Sequence, residues 1–223
     1  EDLYRPYKPK RRTRATIAKE KGLESLAELI LKQEIIQGDP DDYAAAYVDS
    51  EKEVNSVEEA LAGARDIVAE LISDDPDIRK EIRSLTRSTG LIATEARDPE
   101  NTGNYDIYKE FSELIKTIPA YRILAINRGE RENVLRVEID VDEEQMILEI
   151  QKRTVTEPRC IFNEHLCLAI EDAYRRLVAP AVEREMRKLL TEHADEHAID
   201  VFARNLKALL MTPPMHGKTI CGI

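Results

Sequence analysis

The sequence predicts a mainly α protein: an irregular multi-helix array around a long central helix, with at most one short antiparallel β pair. Charged residues make up 35% of the 223 residues, a proportion that suits solvent-lined helices better than a sheet. Clusters of β-branched and aromatic residues, which favour strands, are local and few. The helical pattern scarcely breaks between residues 163 and 210, and at ~1.5 Å per residue a straight helix of that length would approach roughly 70 Å.

Two short helices are expected near the start. Thr13 is a suitable N-cap and Gly22 a suitable stop, so the first helix is expected over roughly 14–21. The second helix has apolar residues on one face because they recur at helical spacing. These residues are Leu23, Leu26, Ala27, Ile30 and Leu31. The pair is a helix–turn–helix only in a loose sense, because Glu24, Glu28 and Glu34 on its second helix would repel phosphates.

The next helices carry their own start and stop signals. Ser56 and Glu59 form a capping box ahead of a long apolar stripe. Asp75 is expected to cap the following helix, with Pro76 at its first position and Gly90 after its end.

Two segments are strand candidates. LIATEA (91–96) is apolar and short, and VLRVEID (134–140) alternates apolar and polar residues. Between them, residues 108–117 are predicted to form a helix followed by Pro119. Together the two strand candidates give the one β pair that the sequence predicts.

The second half of the chain is predicted to be almost entirely helical. Asp142 and Gln145 cap one helix, and the long helical pattern begins near Asn163. Pro180 is expected to kink this helix or to start a new one.

Charge and cysteine content limit the partners and the cellular setting that the sequence predicts. The formal net charge is −11, yet residues 1–22 carry eight Lys/Arg against three Asp/Glu. Most of the surface should therefore repel a polyanion. Three cysteines without framework spacing predict a reduced, intracellular setting. The sequence shows no signal peptide and no apolar run near the ~18 residues of a membrane span, so no membrane partner is expected.

The basic segment is the candidate site. Its proposed nucleic-acid-binding residues are Arg5, Lys8, Lys10, Arg11, Arg12 and Arg14. Tyr4 and Tyr7 are interleaved with them, so basic groups could neutralise phosphates while aromatic rings stack on bases. Two other interpretations stay open: a solvated arm that pairs with acidic helices of its own chain, and a segment that docks on an acidic protein surface.

Three other motifs resemble metal or phosphate sites, but their spacing or their place in the chain argues against such a site. HADEH (193–197) matches a zinc-peptidase pattern, but it lies on the predicted long central helix. Few residues remain downstream to supply a third zinc ligand. HGKT (216–219) lacks the first glycine of a phosphate loop. Cys160 and Cys167 lack a second Cys/His pair. We therefore predict no catalytic residue, no metal and no cofactor.

Four blocks of the sequence resemble the Tex family of transcription accessory proteins, in the family order. They are EDLYRPYKPKRRTRATIAKEKGLESLAELI at the start, EEALAGARDIVAELIS (58–73), IPAYRILAINRGERENVLRVEI (118–139) and EDAYRRLVAPAVEREMRKLLTEHADEHAIDVFARNLKALLMTPP (171–214). Motifs of this length rarely recur by chance, and together they span nearly the whole chain.

The resemblance implies a function and a division into domains. Tex proteins have an N-terminal helical region, a ribonuclease-H-like YqgF domain, helix-hairpin-helix elements and an RNA-binding OB-fold. They are cytoplasmic proteins that bind RNA and DNA in transcription, with no established enzymatic activity. By this resemblance, residues 1–160 are the helical region without its extreme N-terminus, 161–214 are the long central helix, and 215–223 are the truncated first strand of the YqgF domain. Both ends, a start without Met and the final TICGI, are expected to be boundaries inside a longer protein.

The function implied for this chain is that of a non-enzymatic scaffold. RNA and DNA would be bound mainly through domains outside it, and RNA polymerase or other transcription proteins are further possible partners. Two alternatives stay open. One is part of a nuclease that acts through the YqgF domain, and the other is an interaction module that docks on RNA polymerase.

Overall fold

The computed structural model describes residues 12–212 and Gly217. These residues divide into two compact units. The first holds residues 12–91, 114–116 and 139–186, and the second holds the remainder.

Helices dominate both units. The α-helices are α1 (Arg14–Glu20), α2 (Glu24–Lys32), α3 (Pro40–Ala44), α4 (Val57–Asp74), α5 (Pro76–Thr89), α6 (Ala120–Arg131), α7 (Glu143–Thr154), α8 (Asn163–Asp172) and α9 (Ala179–Leu210). The strands are β1 (Leu91–Ala96), β2 (Glu110–Leu114) and β3 (Leu135–Asp140).

The mainly α class is confirmed, and the sheet is larger than expected. The two predicted strands exist as β1 and β3. A third strand joins them, so that the described sheet is antiparallel with the order β2-β1-β3. The expected single pair was therefore one strand short.

The predicted helix starts are confirmed by their capping bonds. Thr13 accepts from the backbone N–H of α1, and Ser56, Asp75 and Asp142 do the same for α4, α5 and α7. Each side chain satisfies a donor that has no partner inside its helix. These helix starts therefore follow from local chemistry.

Helix α4 forms the centre of the first unit, where it packs against α1, α2 and α8. Small side chains allow this close packing. A Cβ at Gly63 would lie 2.3 Å from Leu23 Cδ1 and 3.4 Å from Ala18 Cβ. Leu23 is fully buried, so its side chain cannot move aside into solvent. Only a glycine lets these elements meet α4 at this distance.

Gln33 links the end of α2 to the loop after α7. Its backbone is left-handed, with φ of 53°, and its side chain is buried. The side-chain amide donates to Thr154 O at 2.8 Å and accepts from the N–H of Thr156 at 2.8 Å and of Glu157 at 3.1 Å. One buried amide thereby satisfies three backbone groups that lie far away in the sequence.

The helical run from residue 163 to 210 contains a change of winding. Helix α8 passes into a π-helix over Ala173–Val178, and α9 starts at Ala179. Pro180 has no N–H to donate to the preceding turn, and the winding changes from π to α just before it. The sequence predicted a kink or a new helix at this proline, and the structure has a change from π to α winding there within an unbroken helical run.

Close packing recurs in the second unit, between α6 and β3. A Cβ at Gly129 would lie 2.6 Å from Leu135 Cδ1, 2.9 Å from its Cγ and 3.1 Å from Tyr105 Cδ1. Arg187 of α9 donates to Val137 O at 3.1 Å and pairs with Glu130. This arginine therefore binds both α6 and β3.

The predicted helix over residues 108–117 is wrong. A 3₁₀-helix (Gly103–Tyr108) leads instead into β2, which pairs with β1. Exposure alternates along β2 with the two-residue period of a strand. The backbone N–H of Ala96 donates to Lys109 O at 2.8 Å, and Thr94 Oγ1 donates to Tyr108 O at 2.5 Å. Hydrogen bonds from β1 therefore decide the structure of this segment.

His165 of α8 lies half-buried against α4. Its Nδ1 is 3.0 Å from Arg65 Nη1, so the ring accepts a hydrogen bond there in its neutral form. Burial, and then the charge of Arg65, lower the pKa of His165 below its ordinary value of 6.5. The carboxylates of Glu58 on α4, Glu164 on α8 and Asp41 on α3 act in the opposite direction.

Gly129→Ala should lower the free energy of unfolding by roughly 1–3 kcal/mol, because the added methyl overlaps a fully packed leucine. The gain in helix propensity, about 1 kcal/mol, offsets part of this loss. Urea denaturation followed by circular dichroism measures the change. In a Leu135→Ala background the same substitution should cost much less. Equal losses in the two backgrounds would contradict the packing argument.

His165→Gln should remove one component of the pH dependence of stability. A histidine with a lowered folded-state pKa binds its proton less readily when folded, so stability falls as the pH drops from about 6.5 through that lower value. Glutamine can still accept from Arg65 but does not titrate. Unfolding free energies at a series of pH values should show a shallower decline in the variant below pH 6.5. Parallel curves for the two proteins would refute this assignment.

Candidate nucleic-acid interface

The structure describes two of the six predicted contact residues. Arg5, Lys8, Lys10 and Arg11 lie outside the described residues, so their predicted role stays a prediction. Arg12 and Arg14 are described, and both are exposed at the start of α1.

Arg12 is engaged with its own chain. Its Nη2 donates to Glu20 Oε2 at 2.9 Å, and both side chains are more than half exposed. An ion pair in this setting contributes little, about 0–1 kcal/mol. A phosphate could therefore replace the carboxylate, although the pairing itself fits the interpretation of the arm as structural.

Arg14 lies at one end of a basic edge on α1. Arg14, Ile17 and Lys21 are spaced at i, i+3 and i+7, which places them on one helix face. All three line an open pocket of about 260 Å³ between α1 and α4. The sequence prediction did not include Lys21, although its spacing from Arg14 could have identified it.

The pocket has an apolar floor and a rim of mixed charge. The floor residues include Ala18, Leu23, Val54, Ala62 and Gly63, and the acidic residues are Glu53, Glu59 and Asp66. Glu53 and Lys21 are joined, since Lys21 Nζ donates to Glu53 O at 2.8 Å. Glu59 accepts from the N–H of Asn55 at 2.8 Å. These carboxylates would repel an anion inside the pocket, so a phosphate could bind only at the outer edge, beside Arg14.

Asp66 connects this region to the π-helix. Its carboxylate is 3.1 Å from Arg176 Nη2, and Arg176 also pairs with Asp172. Burial raises the pKa of Asp66, while Arg176 and then Arg14 lower it. Arg176 therefore supplies the main counter-charge for Asp66, and Arg14 acts on it only at longer range. Sequence patterns could not indicate this network, because its members are separated by up to 110 positions.

The remaining motifs do not assemble into a site in the described part of the chain. His193, Glu196 and His197 lie exposed on α9, and residues 12–212 with Gly217 contain no cluster of three or more side chains suited to hold a metal ion. Cys160 is buried and Cys167 is half-buried, both as free thiols. Within HGKT only Gly217 is described. None of the described helices is both long enough and apolar enough to cross a membrane.

Comparison with known proteins identifies the family. Residues 36–202 match the family described as Tex central region-like. Among similar proteins, YdcI of Bacillus subtilis, which is uncharacterized, is 45% identical over 230 residues, covering 100% of this chain and 31% of YdcI. Transcriptional accessory protein Tex of Neisseria gonorrhoeae is 32% identical over 231 residues, which cover 100% of this chain and 30% of that protein. S1 RNA-binding domain-containing protein 1 of Homo sapiens is 27% identical over 240 residues, which cover 100% of this chain and 24% of that protein.

The chain spans less than a third of the length of each of these relatives. The family match covers well over half of the chain and includes α4, the sheet and most of α9. It agrees with the four sequence blocks that resemble Tex proteins. The chain therefore belongs to the Tex family, in the region that corresponds to the Tex central region.

Proposed function

We propose that this chain is a non-enzymatic scaffold within a cytoplasmic, Tex-like transcription accessory protein that binds RNA and DNA. Membership of the Tex family is the observation that carries the proposal. A relative named as a transcriptional accessory protein and another named for an S1 RNA-binding domain support it. The nucleic acids are bound mainly through other domains of such a protein, and RNA polymerase or other transcription proteins are its proposed protein partners.

We propose the same division into domains that the resemblance to Tex proteins implies. Residues 1–160 form the helical region, 161–214 the central helix, and 215–223 the first strand of a YqgF domain. The continuous helical run from Asn163 to Leu210 supports a scaffold role. Apart from Gly217, the last of these segments lies outside the described residues.

We further propose that the basic segment assists by contacting phosphates. The six residues are Arg5, Lys8, Lys10, Arg11, Arg12 and Arg14. Two features of the described residues support this: Arg14 is exposed, and the Arg12–Glu20 pair is weak enough for a phosphate to displace Glu20. The acidic rim beside Arg14 limits the contact to the outer edge of α1, so we expect modest affinity without base selectivity.

Salt-dependent titration tests the phosphate contact. This chain is titrated against fluorescent single-stranded RNA and duplex DNA, beside a variant with Lys8, Lys10, Arg11, Arg12 and Arg14 changed to Glu. Binding of the unchanged chain should weaken steeply with salt, with a log–log slope on duplex DNA of up to roughly −4.5 for five contacts. The variant should lose this binding.

A matched control separates local contact from overall charge. Five exposed basic residues elsewhere are changed to Glu, which gives the same change in net charge. They are Lys80, Arg87, Arg136, Lys152 and Lys188. This control should retain most of the affinity. If the unchanged chain and both variants are equally inert, the arm is structural and nucleic-acid binding belongs to other domains.

A further inference from the structure

Strand β2 presents an open edge. The strand order is β2-β1-β3, so β2 has a neighbour on one side only within the described sheet. Two hydrogen bonds set its register against β1. The N–H of Ala96 donates to Lys109 O at 2.8 Å, and the N–H of Ile115 donates to Gly90 O at 3.0 Å. In an antiparallel pair with this register, the odd-numbered residues of β2 direct their backbone groups to β1, and the even-numbered residues direct theirs outward.

The outward backbone groups of Glu110 and Ser112 have no hydrogen-bond partner among the described residues. The opposite edge of the sheet differs, because side chains of α9 cover it. Arg187 donates to Val137 O at 3.1 Å, and Glu183 accepts from a backbone N–H of β3 at 3.4 Å. An edge such as β2, with open donors and acceptors, is a template on which a further strand can pair.

The solvent-exposed face of the sheet beside this edge is acidic. Glu95 of β1 lies opposite Glu110 in this register, and both residues are exposed. The nearby cations Lys109 and Arg136 are paired with other carboxylates, at 3.5 Å and 3.8 Å. Like charges directly opposite each other on a sheet are unfavourable. A positive charge on an added strand would therefore be favoured next to Glu110.

The opposite face of β2 is aromatic. Phe111 and Glu113 lie on it, and Arg122 of α6 contacts both. The Arg122 guanidinium pairs with Glu113 and lies 5.6 Å from the centre of the Phe111 ring. The Tyr121 ring lies 5.9 Å from the same guanidinium, and Tyr121 is 64% exposed. Because Glu113 already has its counter-charge, an added strand would meet mainly apolar surface on this side.

We propose that β2 binds an extended segment of a partner protein in which basic and apolar residues alternate. The backbone of the segment pairs with the outward groups of Glu110 and Ser112. Its basic side chains lie beside Glu110 and Glu95, and its apolar side chains lie beside Phe111 and Tyr121, because successive side chains of a strand point to opposite faces. A second copy of β2 is disfavoured, since it would add further carboxylates to this edge. This docking does not depend on the proposed nucleic-acid contact.

Amide hydrogen exchange followed by NMR tests the pairing at this edge. The probe is an acetylated heptapeptide of alternating Lys and Val, and the control peptide has Glu in place of Lys. A saturating amount of the Lys–Val peptide should slow exchange at the N–H groups of Glu110 and Ser112, because these donors gain partners. The amides of Phe111 and Glu113, which face β1, should change little. The control peptide should give no protection.

Two variants test whether the peptide binds at β2. Ser112→Pro removes one outward donor at a position where an edge strand tolerates proline, so the affinity for the Lys–Val peptide should fall roughly fivefold to tenfold. Glu110→Lys should weaken binding roughly threefold to tenfold, because attraction is replaced by repulsion. Glu138→Lys, at an exposed residue of β3, is the matched control with the same change in charge and should retain most of the affinity. Fluorescence anisotropy of the labelled peptide measures the affinity, and circular dichroism checks the fold of each variant.

The absence of protection at Glu110 and Ser112 under saturating peptide would overturn the proposal. Full affinity in Glu110→Lys, or in a folded Ser112→Pro variant, would overturn it as well. Protection of the same amides without peptide, together with a molar mass of twice 25.5 kDa, would also count against it and would assign the edge to a second copy of the chain.

Discussion

Small residues on α4 are the constraint on which the first unit depends. Helices α1, α2 and α8 all pack against this one helix, and their approach is limited by the side chains that it presents. At Gly63 no Cβ can be accommodated, because the fully buried Leu23 occupies that space. The pocket beside Arg14 exists for the same reason, since Gly63 and Ala62 form part of its floor. The packing of the core therefore shapes the candidate interface.

The second unit follows the same principle with different residues. Gly129 lets α6 approach Leu135 of β3, and Arg187 binds Glu130 and the backbone of Val137. Beyond Ala194 the described part of α9 has fewer buried side chains and becomes apolar on its surface. A helix that is well packed at its start and exposed at its end is suited to join parts of a larger assembly, which agrees with the proposed scaffold role.

The electrostatics of the first unit limit what the basic segment can do. The chain has a net charge of −11, and the carboxylates of Glu53, Glu59 and Asp66 surround the pocket next to Arg14. Asp66 already has Arg176 as its closest counter-charge. An approaching polyanion would therefore meet favourable charge only along the outer edge of α1. This is why the proposed contact assists other domains and does not replace them.

The sequence by itself determined the features that depend on neighbouring residues. Caps such as Thr13 and Ser56 and the family blocks are local, and all were predicted correctly. The tertiary structure alone decided that residues 110–114 form a strand, because β1 supplies the partners for their backbone groups. It also decided the role of Gln33, the pairing of Asp66 with Arg176 and the exposure of Phe202. Each of these depends on groups far apart in the sequence. A pattern of neighbouring residues does not indicate which distant groups come into contact.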